Sequence, residues 1–345
     1  MGVKIKQIVE DVITTPKIDN FAGKVIAIDA FNTLYSFLST IRQYDGTPLM
    51  DADGRITSHL SGFFFRNMYL LENRIKPIYI FDGEAPKLKA DTVAERIETR
   101  SVAKKKAEEA RDRGDAVEAK KYAQASSKIE PYMLGEIKEL FKLMGIPYLD
   151  APGEGEAQAS YMAERKDVHF VASQDYDCLL FGASSLLRNL TQNKERRIRG
   201  KTYKIEMQLL KFADVLKHLK ITREELVDLG ILIGTDFNNG IPGVGQKTGL
   251  KLIQEHGSIE AILDAKPDYK DKLSIELVKQ VRDIFLNPNV TDNYKFSFNK
   301  LEAKELVDFM CKDHGFSKTR IISRYKKYKT VISQKGQKSL DSFFG

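Results

Sequence analysis

The sequence predicts an α/β fold: a mostly parallel central sheet flanked by helices, with a protruding helical arch and a helix-hairpin-helix element. Three observations predict it. Four short runs, Lys24–Ile28, Pro77–Phe81, Ile146–Leu149 and Val168–Ala172, are apolar or β-branched on both faces, the mark of strands buried on both sides. Amphipathic helical stretches separate these runs, and strands alternating with helices build a parallel sheet. The third is a change of composition between residues 87 and 130, rich in Ala, Lys, Glu and Arg. That segment has strong helix propensity but few large apolar side chains, so its helices are expected to stand out from the body.

Beyond Lys204 the chain reads as helical. Thr222-Arg-Glu-Glu225 is a capping box in front of ELVDLGILIG, the Thr hydroxyl and Glu carboxylate satisfying the first free amides of a helix. Gly240-Ile-Pro-Gly243-Val-Gly245 follows, ahead of another helical stretch containing Lys247. Glycines at 243 and 245 predict a tight hairpin between two helices, whose exposed amides would suit a phosphate. The expected organisation is an N-terminal region (1–100), an arch (87–130), an internal region (117–258) with the hairpin element near 236–256, a C-terminal helical region (259–330) and a flexible tail (331–345).

Composition narrows the function. With 345 residues, 42% hydrophobic and 30% charged, the chain can bury a large core and fits a soluble globular class. No apolar run approaches the roughly 18–20 residues that cross a bilayer, and MGVKIKQIVEDV lacks a secretory leader pattern. Cys178 and Cys311 stand far apart without partners, which favours a reducing intracellular setting over a disulfide framework. His59, His169, His218, His256 and His314 show no metal-binding spacing, so any metal would be held by carboxylates. The net charge of +7 is uneven: Lys318 to Lys338 holds eight Lys or Arg and no acid, and Lys194 to Lys204 six against Glu195 alone. Such runs are ordinarily solvated faces, but beside an acidic site they suit phosphate contact.

The acids carry the chemistry. Asp29 follows KVIAI, Asp82 follows PIYIF, Glu154 and Glu156 follow IPYLDAPG, and Asp175 and Asp177 follow VHFVASQ. Ligands of open parallel sheets bind beyond the carboxyl ends of the strands, so four strands would deliver acids to one edge, with Asp236 as the seventh. Any single Asp after a strand is as readily a helix N-cap. The recurrence at every strand end, twice as an acid-x-acid pair, points to a shared site. Two carboxylates about 4 Å apart repel by roughly 4 kcal/mol at an effective dielectric of about 20, and divalent cations reverse that sign. Oxygen-only donors select hard ions, Mg²⁺ first with Mn²⁺ as substitute, and seven acids suggest two ions. Two metals roughly 3.5–4 Å apart can activate a water and stabilise a leaving oxygen in phosphodiester cleavage.

These residues bring out a resemblance. AIDAFNTLYSFL (27–38), TSHLSGFFFR (57–66), KPIYIFDGEAPKLK (76–89), APGEGEAQASYMA (151–163), SQDYDCLLFGA (173–183), GILIGTDFN (230–238) and QKSLDSFF (337–344) resemble the flap endonucleases, structure-specific 5′ nucleases of DNA replication and repair, archaeal members in particular. The resemblance runs through essentially the whole chain. It implies that Asp29, Asp82, Glu154 and Glu156 serve one metal and Asp175, Asp177 and Asp236 a second. It implies that Lys89 and Arg96, at the base of an arch traversed by the 5′ flap, contact the scissile phosphate. Tyr35 would stack on a base near the cut, and Arg42 and Arg66 would lie near the duplex and flap. Glu154, Gly234, Asp236, Gly243, Gly245 and Lys247 would face DNA, the hairpin gripping the duplex backbone. Gln337, Leu340, Phe343 and Phe344 resemble the box that docks such enzymes on a sliding clamp, an exposed apolar plug for a partner groove. A monomer is expected, in the cytoplasm or nucleoid of an archaeon, or the nucleus of a eukaryote.

Three departures stand out: Ala85 replaces a usual proline, Gly153 stands where Ser is common, and the hairpin is one residue short with Pro242 in place of a basic residue. The alternatives are a related 5′ nuclease preferring bubbles or acting mainly as an exonuclease, and a non-catalytic clamp-binding DNA adaptor.

Overall fold

A computed structural model describes the backbone of residues 2–192, 195–198 and 201–344, and the side chains of residues 2–192 and 204–333. Among the described residues there are eight strands: β1 Val25–Asp29, β2 Lys76–Phe81, β3 Tyr148–Asp150, β4 Phe170–Ala172, β5 Ser185–Arg188, β6 Glu195–Ile198, β7 Lys201–Lys204 and β8 Gln208–Lys211. Six form one sheet in the order β3-β2-β1-β4-β5-β8, parallel throughout except for antiparallel β8, while β6 and β7 pair as a separate hairpin. β1 is central, with Ile28 opposite Tyr79 of β2 and Ala172 of β4.

The helices are α1 Lys6–Val9, α2 Ala30–Thr40, α3 Ser58–Glu72, α4 Ala90–Asp112, α5 Ala116–Ala125, α6 Pro131–Leu143, α7 Gly155–Glu164, α8 Asp177–Leu180, α9 Phe212–Leu219, α10 Arg223–Ile233, α11 Gln246–His256, α12 Ile259–Ala265, α13 Ile275–Leu286, α14 Ala303–Asp308 and α15 Lys318–Phe344. Successive strand residues point to opposite faces, so the sheet makes two cores. Ile26, Ile28, Tyr79, Phe81 and Leu187 face α2, α3 and α6, where Phe63, Tyr79 and Phe141 pack ring on ring. Ala27, Ile78, Ile80, Val171 and Leu186 face α7 and the helices from α9 to α13.

All four expected strands are present. The third starts two residues late and is part-exposed, because β3 is the sheet edge. β5 and β8 depart from the expectation, as does the hairpin of β6 and β7 inside the basic run. The Leu209-Leu210 pair of β8 adjoins the strongly amphipathic helix FADVLKHL, so its two apolar residues read as the start of that helical stripe.

The charged segment forms an antiparallel hairpin of α4 and α5. Its seam is alanine: Ala103, Ala107 and Ala110 meet Ala119 and Ala123, all buried. Small side chains let two polar helices close on each other without a larger apolar face. Asp115 caps α5 by accepting from the Glu118 amide at 2.9 Å. The pair α10–α11 encloses the glycine turn, with Gly234 and Gly243 in left-handed backbone (φ +97° and +83°).

Candidate active site

The strand ends place the acids. Asp29 closes β1 and caps α2, accepting from the Asn32 amide at 2.9 Å, so its N-cap role and its place in the cluster coexist. Asp82 follows β2 and accepts from the Gly155 amide at 2.6 Å. A Cβ on Gly155 would lie 2.7 Å from that carboxylate oxygen, which explains the glycine. Glu154 stands at the N-terminus of α7 and Glu156 in its first turn, where a carboxylate suits the helix dipole. Asp175 and Asp177 lie beyond β4, and Asp236 in the turn after α10.

Charge from neighbouring acids reaches four of the seven: Asp82 and Asp175 act on Asp29, Asp82 and Asp236 on Glu154, Asp175, Asp29 and Asp177 on Glu156, and Asp175 and Asp236 on Asp177. Asp29 and Glu156 are held well above the usual carboxylate range, first by burial and then by neighbouring acids: Asp82 beside Asp29, and Asp175 beside Glu156. Burial also raises Asp82, and it raises Glu154 against the pull of Lys89. Asp177 is pushed up to about 7 by burial, opposed by the Val3 amide and reinforced by Asp175 and Asp236. Oxygen-only donors short of counter-charge fit hard divalent cations. As they stand, no three acids among the described residues converge tightly enough to enclose an ion.

Cations from the arch take part of that place. Lys89, just before α4, donates to Glu154 and lies 4.0 Å from Asp236. Burial lowers its pKa, but Glu154, Asp82 and Asp236 outweigh burial and raise it overall. Arg96, two turns along, donates to both oxygens of Asp236 at 2.8 and 2.6 Å. The Thr92 hydroxyl holds the Asp236 carbonyl at 2.8 Å. One turn further, Arg100 lies 4.5 Å from the ring centre of half-buried Tyr35.

The other expected residues lie elsewhere. Arg42 is tied inside the fold, donating to the carbonyls of Leu38 and Gly46 and to the Ser127 hydroxyl. Arg66 is half-buried near Tyr69 and Tyr79, and burial lowers its pKa. Gly245 precedes α11 and Lys247 is exposed in its first turn. The side chains of Gln337, Leu340, Phe343 and Phe344 lie outside the described residues.

Sequence reasoning missed several partners. The Gly2 and Val3 amides donate to Asp175 (3.2 Å) and Asp177 (2.6 Å), laying the N-terminal segment against the acids. Asn32 donates to Asp175 at 3.2 Å and Ser173 to Glu156 at 2.5 Å. Ser173, at a strand end two residues before Asp175, was findable by the rule that found the acids; Gly2 carried no local signal.

Residues 1–103 match the XPG N-terminal domain and residues 145–236 the XPG I-region. With the acid-bearing sheet edge, these two regions define an XPG-type protein. The chain is 48% identical to flap endonuclease 1 of Methanobrevibacter smithii, with all of both chains covered. It is 44% identical to that of Pyrococcus furiosus, covering 100% of this chain and 99% of the other. Among solved structures, flap endonuclease-1 from Methanococcus jannaschii superposes with a TM-score of 0.72 at 38% identity, covering 94% and 97%. The catalytic core of Rad2 in complex with DNA substrate gives 0.72 at 25%, covering 95% and 100%. The chain belongs to the flap endonuclease 1 family.

Proposed function

We propose that this protein is a structure-specific endonuclease cutting 5′-flap DNA at the junction of single strand and duplex, with 5′–3′ exonuclease activity, in Okazaki-fragment maturation and base excision repair. The supporting observation is the meeting of Glu154, beyond β3, and Asp236, in the turn after α10, with Lys89 and Arg96 of the arch, anion-binding cations aimed into a metal-type acid cluster. Family membership supports the substrate class.

Asp29, Asp82, Glu154 and Glu156 would hold one Mg²⁺, and Asp175, Asp177 and Asp236 a second, with Mn²⁺ as a substitute. Bound ions would supply an acidified water and charge neutralisation at the leaving oxygen. The chain's own residues do the rest. Lys89 and Arg96 release Glu154 and Asp236 to the ions and turn to the scissile phosphate, where their charge meets charge that builds up during cleavage. Tyr35, vacated by Arg100, offers its ring to a base. Gly243, Gly245 and Lys247 approach the duplex backbone with amides and a cation.

For the domains we propose nuclease regions at 1–100 and 117–258, the arch over 87–130, the hairpin element near 236–256, a helical region over 259–330 and a tail over 331–345 carrying the clamp-docking motif at 337–344; α15 runs across the boundary at 330. The protein is proposed to act as an intracellular monomer; no helix among the described residues is long and apolar enough to cross a membrane. Loss of clamp binding on Phe343→Ala/Phe344→Ala would test the tail.

Asp175→Ala is the direct test of the site. Mg²⁺-dependent cleavage of a 5′-flap substrate should vanish while flap-DNA binding persists; retained turnover overturns the assignment. Faster cutting of bubble or nicked DNA than of flaps would favour the related 5′-nuclease reading.

A further inference from the structure

Between α13 and α14 the chain runs through residues 287–302 without regular secondary structure, yet it is pinned at defined points. Val290, Tyr294 and Phe296 pack on the core that contains α7. The Tyr294 hydroxyl reaches Asp167 at 2.5 Å, and the Asn299 amide donates to the Gly145 carbonyl at 3.0 Å. This strap meets the acid-bearing loop and helix at two places.

The first is Gln158. Its side chain is fully buried, one turn beyond Glu154 on α7. Its amide nitrogen donates to the Thr291 carbonyl at 2.9 Å, and its carbonyl oxygen accepts from the Thr291 amide at 2.8 Å. One side chain thus satisfies both backbone groups of one strap residue, as a neighbouring strand would. The second is Gly153, whose Cβ position lies 2.9 Å from the Asn289 carbonyl oxygen. Only a residue without a side chain lets the strap close this far. The Gly153 carbonyl meanwhile accepts from the Gly83 amide at 2.8 Å, joining the loop after Asp82 to the loop before Glu154.

We infer that Gln158, with Gly153, positions Glu154 and Glu156 by clamping the first turn of α7 to the strap at Thr291 and Asn289. α7 needs such a tie: it is ten residues long and its buried positions are mostly small, Gly155, Ala157, Ala159, Ser160 and Ala163, which leave little apolar grip of their own. Rotating or sliding its first turn would move both carboxylates together. The inference rests on the reading of these acids as metal ligands.

The test is Gln158→Met, which keeps volume but can bind neither backbone group of Thr291, with Gly153→Ala as a second variant that lifts the strap from the other side. Mg²⁺ is titrated in two ways: thermal shift of the DNA-free protein, and cleavage of a 5′-flap substrate. Each variant should need about tenfold more Mg²⁺ for half-maximal effect in both, the size usual for disturbed support of metal ligands, with KM for DNA unchanged. An unshifted Mg²⁺ midpoint in either folded variant, with wild type responding normally, overturns the inference. A wild type that shows no Mg²⁺ response overturns the metal reading itself. Should Gln158→Met fail to fold, Gly153→Ala alone decides.

Discussion

Arg96 grips both oxygens of the Asp236 carboxylate from 140 residues away in sequence, joining the arch to the turn after α10. The pair balances charge on the acid floor and holds α4 down on it. Arg96→Gln removes that cation and keeps the side chain's bulk. Cleavage should fall about 100-fold, the scale for losing one preorganised group at developing charge, while flap-DNA affinity changes a few-fold at most. Single-turnover rates beside binding isotherms would check it; equal losses in both would assign Arg96 to binding alone.

Two glycines next to the acids should fail in different ways. A Cβ on Gly83 would stand 2.0 Å from the Ala151 carbonyl oxygen, a backbone atom that cannot swing aside. Gly83→Ala should therefore cost about 1–3 kcal/mol of stability, read in a denaturant melt. On Gly155 the obstacle is the Asp82 carboxylate, the end of a side chain, which can rotate away. Gly155→Ala should leave the melt within about 1 kcal/mol of wild type and instead reduce cleavage by displacing an acid.

Proton linkage gives a sign that can be measured. Burial holds Asp177 up at about 7 in the metal-free protein, and holds Asp29 and Glu156 well above the ordinary range. Between about pH 4 and pH 7 the folded chain thus binds more protons than the unfolded chain, so these acids lower metal-free stability as pH rises through that window. Mg²⁺ requires the carboxylates ionised, so its binding should release protons and tighten as pH rises toward 7. Melts with chelator and with Mg²⁺ across pH 5 to 8 should diverge with increasing pH. A Mg²⁺ gain that is flat across that range would contradict the buried-acid account.

The alanine seam of the arch tolerates no bulk. Ala110 is fully buried between α4 and α5. Ala110→Leu should destabilise the hairpin by about 1–3 kcal/mol through overpacking, with the sheet core untouched. Amide exchange over residues 90–125 should rise while that of β1 and β2 stays slow. Uniform loosening of the whole chain would show that arch and body unfold as one unit.

Much of this was legible in the residues themselves. β1, β2 and β4 announce themselves by short apolar runs, and the acids by following each run, because strand direction in a parallel sheet sends every carboxyl end to one edge. β5 and β8 were not legible. Each is four residues long, and β8 adjoins an amphipathic helix, so local periodicity has too little length to speak. The arch was readable as charged helix, but not its pairing: alanines carry no apolar signal until a second helix covers them.

By itself the sequence determined the four strands that carry the acids, the acid identities and the hard-ion chemistry they favour, since these depend on residue type and order along single segments. Only the tertiary structure decided which cation meets which acid, that Gly2 and Val3 cover Asp175 and Asp177, that Arg42 serves the fold from within, and that a strap near residue 291 holds Gln158. Apart from the ties of Arg42 to Leu38 and Gly46 nearby, those contacts join segments 65 to 174 residues apart, and no local pattern encodes a partner that only packing brings near.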